Sequence, residues 1–240
     1  MPPDEWVVAA TNLVPFDARL GGGFPRGHIS ELVGRCSSGR TSVLLQTLAA
    51  ATGRGELVAF VDALDMLDVA SASAAGIDLD RVLWIRGHVV VNPGMCRDTN
   101  QRALEHAIKA LSLVLQAGTF GVVVLDVAEA PSSAIRRLPF TTWLRLQRIV
   151  EGSQTACVLM GAEPMARSSA GLTVRLGLDA QRAGRSALGT RVDSGASGIG
   201  PRVCERLLHR LPVEARVVHA RSHVHEEETV AFSTVISPDV

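Results

Sequence analysis

Between two apolar segments lies Gly34-Arg35-Cys36-Ser37-Ser38-Gly39-Arg40-Thr41-Ser42. It matches the phosphate-loop pattern G-x-x-x-x-G-K-[ST] at every fixed position except the lysine, which is Arg40. The flanks constrain the fold further. Ile29 to Val33 reads as a short buried strand, and Ser42 to Ala51 reads as the helix after the loop. A strand, a glycine loop and a helix in that order aim backbone amides and a helix N-terminus at an anion. Gly34, Ser37, Ser38, Gly39, Arg40, Thr41 and Ser42 are therefore the candidate phosphate-binding residues. A planar guanidinium is a poor substitute for an ammonium in a narrow passage, so the exchange at Arg40 bears directly on what the loop can do.

Further apolar and amphipathic segments alternate along the chain, predicting an α/β fold with a largely parallel central sheet. Strands are expected at Leu57–Asp62, Val82–Ile85, Gly121–Asp126 and Ala156–Met160, and helices at Asp68–Ala75, Asn100–Leu115 and Thr141–Glu151. Leu172–Leu176 and Ala215–His219 alternate more and are expected to carry the sheet toward an antiparallel edge. All 240 residues read as one domain: a short arm over 1–14, a flexible Gly/Ser/Arg loop over 182–202, and a C-terminal hairpin over 215–236 that turns at Glu226-Glu227-Glu228. At 47% hydrophobic residues the chain can bury one substantial core.

A net charge of zero argues against a broad nucleic-acid footprint while leaving room for a local basic stripe. Lys109 is the sole lysine, so a general preference for arginine is one source of Arg40. The four cysteines, Cys36, Cys96, Cys157 and Cys204, form no C-x-x-C pair and read as reduced thiols. The first residues lack the pattern of a signal peptide, and no apolar run has the length of a membrane span, so a cytoplasmic protein without membrane association is expected. His219, His223 and His225 read as an exposed hairpin end. Arg136, Arg137, Arg145 and Arg148 read as a solvated helix face, with contact to phosphate or to an acidic partner as the alternative. The arginines of the 182–202 loop read as a disordered surface that could order on DNA or on a partner. Trp84 and Trp143 read as packing residues.

A phosphate-loop enzyme needs an aspartate at the end of a buried strand for Mg²⁺, and Asp126 fits. It also needs a carboxylate to polarise the attacking water, for which the neighbouring strand end offers Asp62-Ala63-Leu64-Asp65. Phe60 to Asp68, followed by Gly76-Ile77-Asp78-Leu79-Asp80, resembles the F-I-D-A-E-H-A-L-D and G-V-D-I-D stretches of the RecA family. Leu20 to Ile29 and Val122 to Asp126 resemble that family's approach to the phosphate loop and its V-I-V-V-D strand. The resemblance spans about Pro15 to Leu178 and implies a RecA-like core with ATP and Mg²⁺ as cofactors.

It also marks departures. The family's catalytic glutamate falls on Leu64, its lysine on Arg40, and its γ-phosphate-sensing glutamine near Ala162. Two lysines that reach a neighbouring subunit's nucleotide fall on His219 and Arg221. No catalytic residue is assigned, any nucleotide site is expected to be vestigial or weak, and metal would be held only through Thr41 and Asp126 if nucleotide binds. The polymerising N-terminal helix looks absent and the DNA-binding loops look shortened. Within the family the chain resembles the ImuA group, which implies an accessory role in SOS-type translesion synthesis. The implied partners are an ImuB-like polymerase-related protein and RecA, with a weak contact to single-stranded DNA. The alternatives are an active DNA-dependent ATPase using Arg40, and a SulA-like cell-division inhibitor.

Overall fold

The computed structural model describes residues 7–87, 97–178, 211–221 and 229–234. Strand β1 (Val8–Ala9) pairs antiparallel with β2 (Phe24–Pro25), and helix α1 (Val14–Arg19) lies between them. The phosphate-loop unit follows as β3 (Ile29–Gly34) and α2 (Arg40–Gly53). Next come β4 (Val58–Asp62), α3 (Val69–Ala74), β5 (Val82–Arg86), α4 (Arg97–Ala117) and β6 (Val122–Asp126). Helices α5 (Ser132–Arg137) and α6 (Phe140–Val150), then β7 (Ala156–Gly161) and β8 (Leu172–Leu178), complete the layers. The last strands are β9 (Leu211–Ala220) and β10 (Thr229–Thr234).

Eight strands form one sheet in the order β10-β9-β8-β3-β7-β6-β4-β5. Every residue of β3, β4, β6 and β7 is buried, which is why β7, and β4 and β6 up to their last residue, read as apolar runs. Two cores sandwich the sheet. Phe16, Phe24, Leu44, Leu48, Phe60 and Val158 fill one face, and Leu104, Leu111, Leu125, Trp143, Leu146 and Leu159 fill the other. Helix α4 buries Leu104, Ile108, Leu111 and Leu115, the stripe expected from its spacing.

The expected antiparallel edge is present: β8 runs parallel to β3 and carries the sheet to β9 and β10, where the pairing is antiparallel. Within β8 the polar Thr173 is itself buried and hydrogen-bonded. The segment after Asp126 contains one element that the sequence reading does not assign, α5, with Pro131 at its N-cap. The hairpin of β9 and β10 is present, with Arg216 opposite Thr229, while its turn and the 182–202 loop lie outside the described residues.

The central strand carries a charge. Glu31 of β3 has no exposed surface, and its Oε1 accepts the amides of Met165 (2.6 Å) and Ala166 (2.7 Å). Its Oε2 accepts the Thr173 hydroxyl at 2.7 Å. A buried carboxylate is tolerated where three donors replace its water, and here it fastens the β7–β8 connection to the sheet. Gln147 of α6 does the same for β3's entry, accepting the Ile29 amide at 3.0 Å. Because Glu31→Ala strands these donors in the interior, the expected loss is about 2–4 kcal/mol of unfolding free energy in urea titration, with Glu31→Gln recovering part of it.

Candidate phosphate-loop site

The loop turns where its sequence permits. Ser37 (φ 62°) and Gly39 (φ 87°) adopt left-handed conformations, and Gly39 is the residue from which α2 starts. Gly34 admits no side chain, because a Cβ there would fall 2.3 Å from Ser38 Oγ and 2.8 Å from the Leu176 carbonyl oxygen. Helix α2 begins at Arg40 rather than at Ser42, so Arg40, Thr41 and Ser42 form its first turn, whose amides have no partner within the helix. Thr41 is exposed, and the buried Ser38 hydroxyl has no hydrogen-bond partner among the described residues.

Arg40 does not reach outward. It is 6% exposed; one guanidinium nitrogen donates to the carbonyl of Gly34 in its own loop, and Nη2 donates to Glu129 Oε1 at 2.5 Å. Glu129 follows β6 by three residues and is 47% exposed at its side chain. Arg40, Thr41, Asp126, Glu129, Met66 and Leu67 line one cleft of about 170 Å³ along α2.

Asp126 ends β6 directly opposite Asp62 of β4. Burial pushes the Asp126 carboxyl up to about 7, with the negative charges of Asp62 and Glu129 adding to the rise. The Ala128 amide, 2.9 Å from Oδ1, and the Arg40 charge pull the other way. Asp62 is committed to a turn, accepting the amides of Met66 and Leu67 at 2.9 Å each and the Trp84 indole at 3.3 Å.

Leu64 is buried among the apolar side chains of the sheet face that packs on α4. Asp65, at φ 59°, grips Arg86 in a two-pronged ion pair of 2.7 and 2.8 Å, which holds its carboxyl below the usual range. Arg86 in turn lies 4.5 Å over the Trp84 ring. Beyond β7, Ala162 precedes Glu163, which pairs with Arg175 at 2.8 Å. Arg221 donates to the Ser168 carbonyl, and His219 lies in β9.

The structure thus gathers Arg40, Thr41 and Asp126 in one cleft, and places Leu64 in the core. Glu129 was not legible as a site residue: an acid in a loop after a strand carries no signal until the fold sets it beside Arg40. Among the described residues no group of three metal-ligating side chains occurs, and His223 and His225 lie outside them. Cys36 is exposed and Cys157 is buried, both unpaired; Cys96 and Cys204 lie outside the described residues. No helix among the described residues is long and apolar enough to cross a membrane.

A mostly parallel sheet with a glycine loop between its central strand and the following helix defines a phosphate-loop α/β core of the recombinase type. Residues 6–135 match the RecA N-terminal domain, and the chain belongs to that family. Among curated proteins, RecA of Symbiobacterium thermophilum is 40% identical over 124 residues, 51% of this chain and 31% of that protein. RecA of Corynebacterium jeikeium is 38% identical over 118 residues, 49% of this chain and 28% of that protein. The matched segment thus spans about a third of these relatives' length. A crystal structure of the RadB recombinase shares the fold, with a TM-score of 0.60 at 16% identity over 95% of this chain and 97% of that one.

The raised Asp126 carboxyl gives a signed prediction. Its protonated form is favoured in the folded state, so its contribution to stability is full below pH 4 and is lost as pH rises to about 7. Inside that window the slope is about 1.4 kcal/mol per pH unit at most. Asp126→Asn keeps the Ala128 hydrogen bond and is expected to flatten this slope in urea titrations at pH 5 and 8, gaining on the parent chain at the higher pH.

Proposed function

We propose that this chain is a RecA-family core whose phosphate loop has become a structural lock, and that it works as an interaction factor without efficient ATP hydrolysis. The observation that carries the reading is the double engagement of Arg40: its guanidinium is spent on the Gly34 carbonyl and on Glu129. A cation held this way is withdrawn from any phosphate, and Glu129 supplies in cis the negative charge that a nucleotide would bring. The fit to Mg-nucleotide is therefore split. The backbone suits an anion, because the first amides of α2 have no side-chain cap. The side chains do not suit turnover: Leu64 is buried and cannot polarise water. Losing a general base alone typically forfeits about a hundred- to ten-thousand-fold in rate.

Together with the resemblance to the ImuA group, this supports an accessory role in SOS-type translesion DNA synthesis in the cytoplasm. The partners in that role are an ImuB-like polymerase-related protein and RecA, with at most weak contact to single-stranded DNA. The working-ATPase reading has one observation on its side, the exposure of Thr41 and Glu129, which leaves the ion pair free to open.

Isothermal titration with Mg-ATP and a non-hydrolysable analogue, run beside a phosphate-release assay, separates the two. Weak or absent heat and release at the rate of buffer are expected. Glu129→Gln loosens Arg40 and is expected to strengthen nucleotide binding several-fold without bringing turnover. A nucleotide-dependent turnover that disappears in Arg40→Ala would reject the proposal.

A further inference from the structure

A second cleft, of about 240 Å³, opens between the α5–α6 corner and the connection after β7. Leu138, Phe140, Trp143 and Met165 form its apolar part, and Arg136 and Arg167 stand at it. Its walls are rigid for reasons in the sequence. Pro131 and Pro139 start the two helices, Pro164 lines the cleft, and the buried Glu31 pins the amides of Met165 and Ala166. That pinned segment carries Arg167 at a left-handed φ of 51°, a strained conformation for an arginine.

The charge around the cleft is unbalanced. Arg136 and Arg137 on α5, Arg145 and Arg148 on α6, and Arg167 are all exposed, and none pairs with a carboxylate among the described residues. The acid next to the cleft, Glu163, is already paired with Arg175. Two of these guanidinia, Arg136 and Arg167, stand at the cleft itself, and Arg137, Arg145 and Arg148 lie on the helices that form it.

We infer that this cleft docks an acidic peptide segment of a protein partner, with an apolar side chain seated on Leu138, Phe140 and Met165 and flanking carboxylates forked by Arg136 and Arg167. Guanidinium groups bind carboxylates through two parallel hydrogen bonds, and a preorganised site loses little entropy on doing so. Single-stranded nucleic acid fits less well. Base stacking needs an open aromatic face, and Trp143 is 2% exposed, which leaves only the half-buried Phe140. The inference deepens the accessory reading and rests on it for the partner's place in the cell. Its test uses bare peptide without nucleotide, so failure here removes this surface while the nucleotide titration judges the accessory reading by itself.

Fluorescence anisotropy of the full chain is measured with three labelled probes: an Asp/Glu-rich peptide of about 15 residues bearing one central Leu-Phe pair, the same peptide with Ser-Ser there, and oligo-dT of matching length. The apolar-bearing peptide is expected to bind at least ten-fold tighter than the Ser-Ser peptide and tighter than oligo-dT. Arg136→Ser/Arg167→Ser is expected to weaken it at least ten-fold, whereas Arg81→Ser/Arg102→Ser, equal in charge change and away from the cleft, leaves it within two-fold. These are surface positions, and matching melting curves verify that the variants fold. Equal binding of the two peptides, equal loss in the two double variants, or oligo-dT binding tighter and failing only in Arg136→Ser/Arg167→Ser would each overturn the inference, the last in favour of a nucleic-acid surface.

Discussion

A carboxylate with no access to water sits in the central strand of the sheet, and much of the surface follows from how Glu31 is satisfied. Placing an ion there is costly unless donors surround it. The donors are two amides of the β7–β8 connection and a hydroxyl of β8, so one side chain ties three neighbouring pieces of the sheet together. It reaches past the fold to the surface, because the amides it holds immediately precede Arg167. The same strand ends three residues later in the phosphate loop, so both clefts hang from β3.

The phosphate loop and the arginine cleft divide the chain's positive charge differently. In the loop the charge is consumed internally, Arg40 being neutralised by Glu129 and by a backbone carbonyl. Around the second cleft it is left unspent. Buried charge must be paired to be tolerated, whereas exposed charge stays hydrated at little cost and remains available to a partner. The proposed interaction role rests on that contrast.

The sheet was readable because its strands are buried on both faces. Val122 to Asp126 and Ala156 to Met160 carry no charged residue before their ends, and runs of five such residues are too short for a buried helix. Strand β8 was readable as the step toward an antiparallel edge, whereas its burial was not. The polar Thr173 looks like an outward position until Glu31 is found opposite it as its hydrogen-bond partner. Helix α5 escaped notice because six residues between prolines give too little periodicity to register.

The strand–loop–helix unit and the aspartates at the ends of β4 and β6 were already written in the local sequence. All of these are local patterns, fixed by spacing and residue type within a few positions. Tertiary structure decided what the polar side chains do. It set Glu129 against Arg40, Asp62 opposite Asp126, and Asp65 in the grip of Arg86. Each of these pairs joins residues distant in sequence, and an ion pair or a shifted carboxyl depends on a distance of a few ångströms that only the folded chain sets.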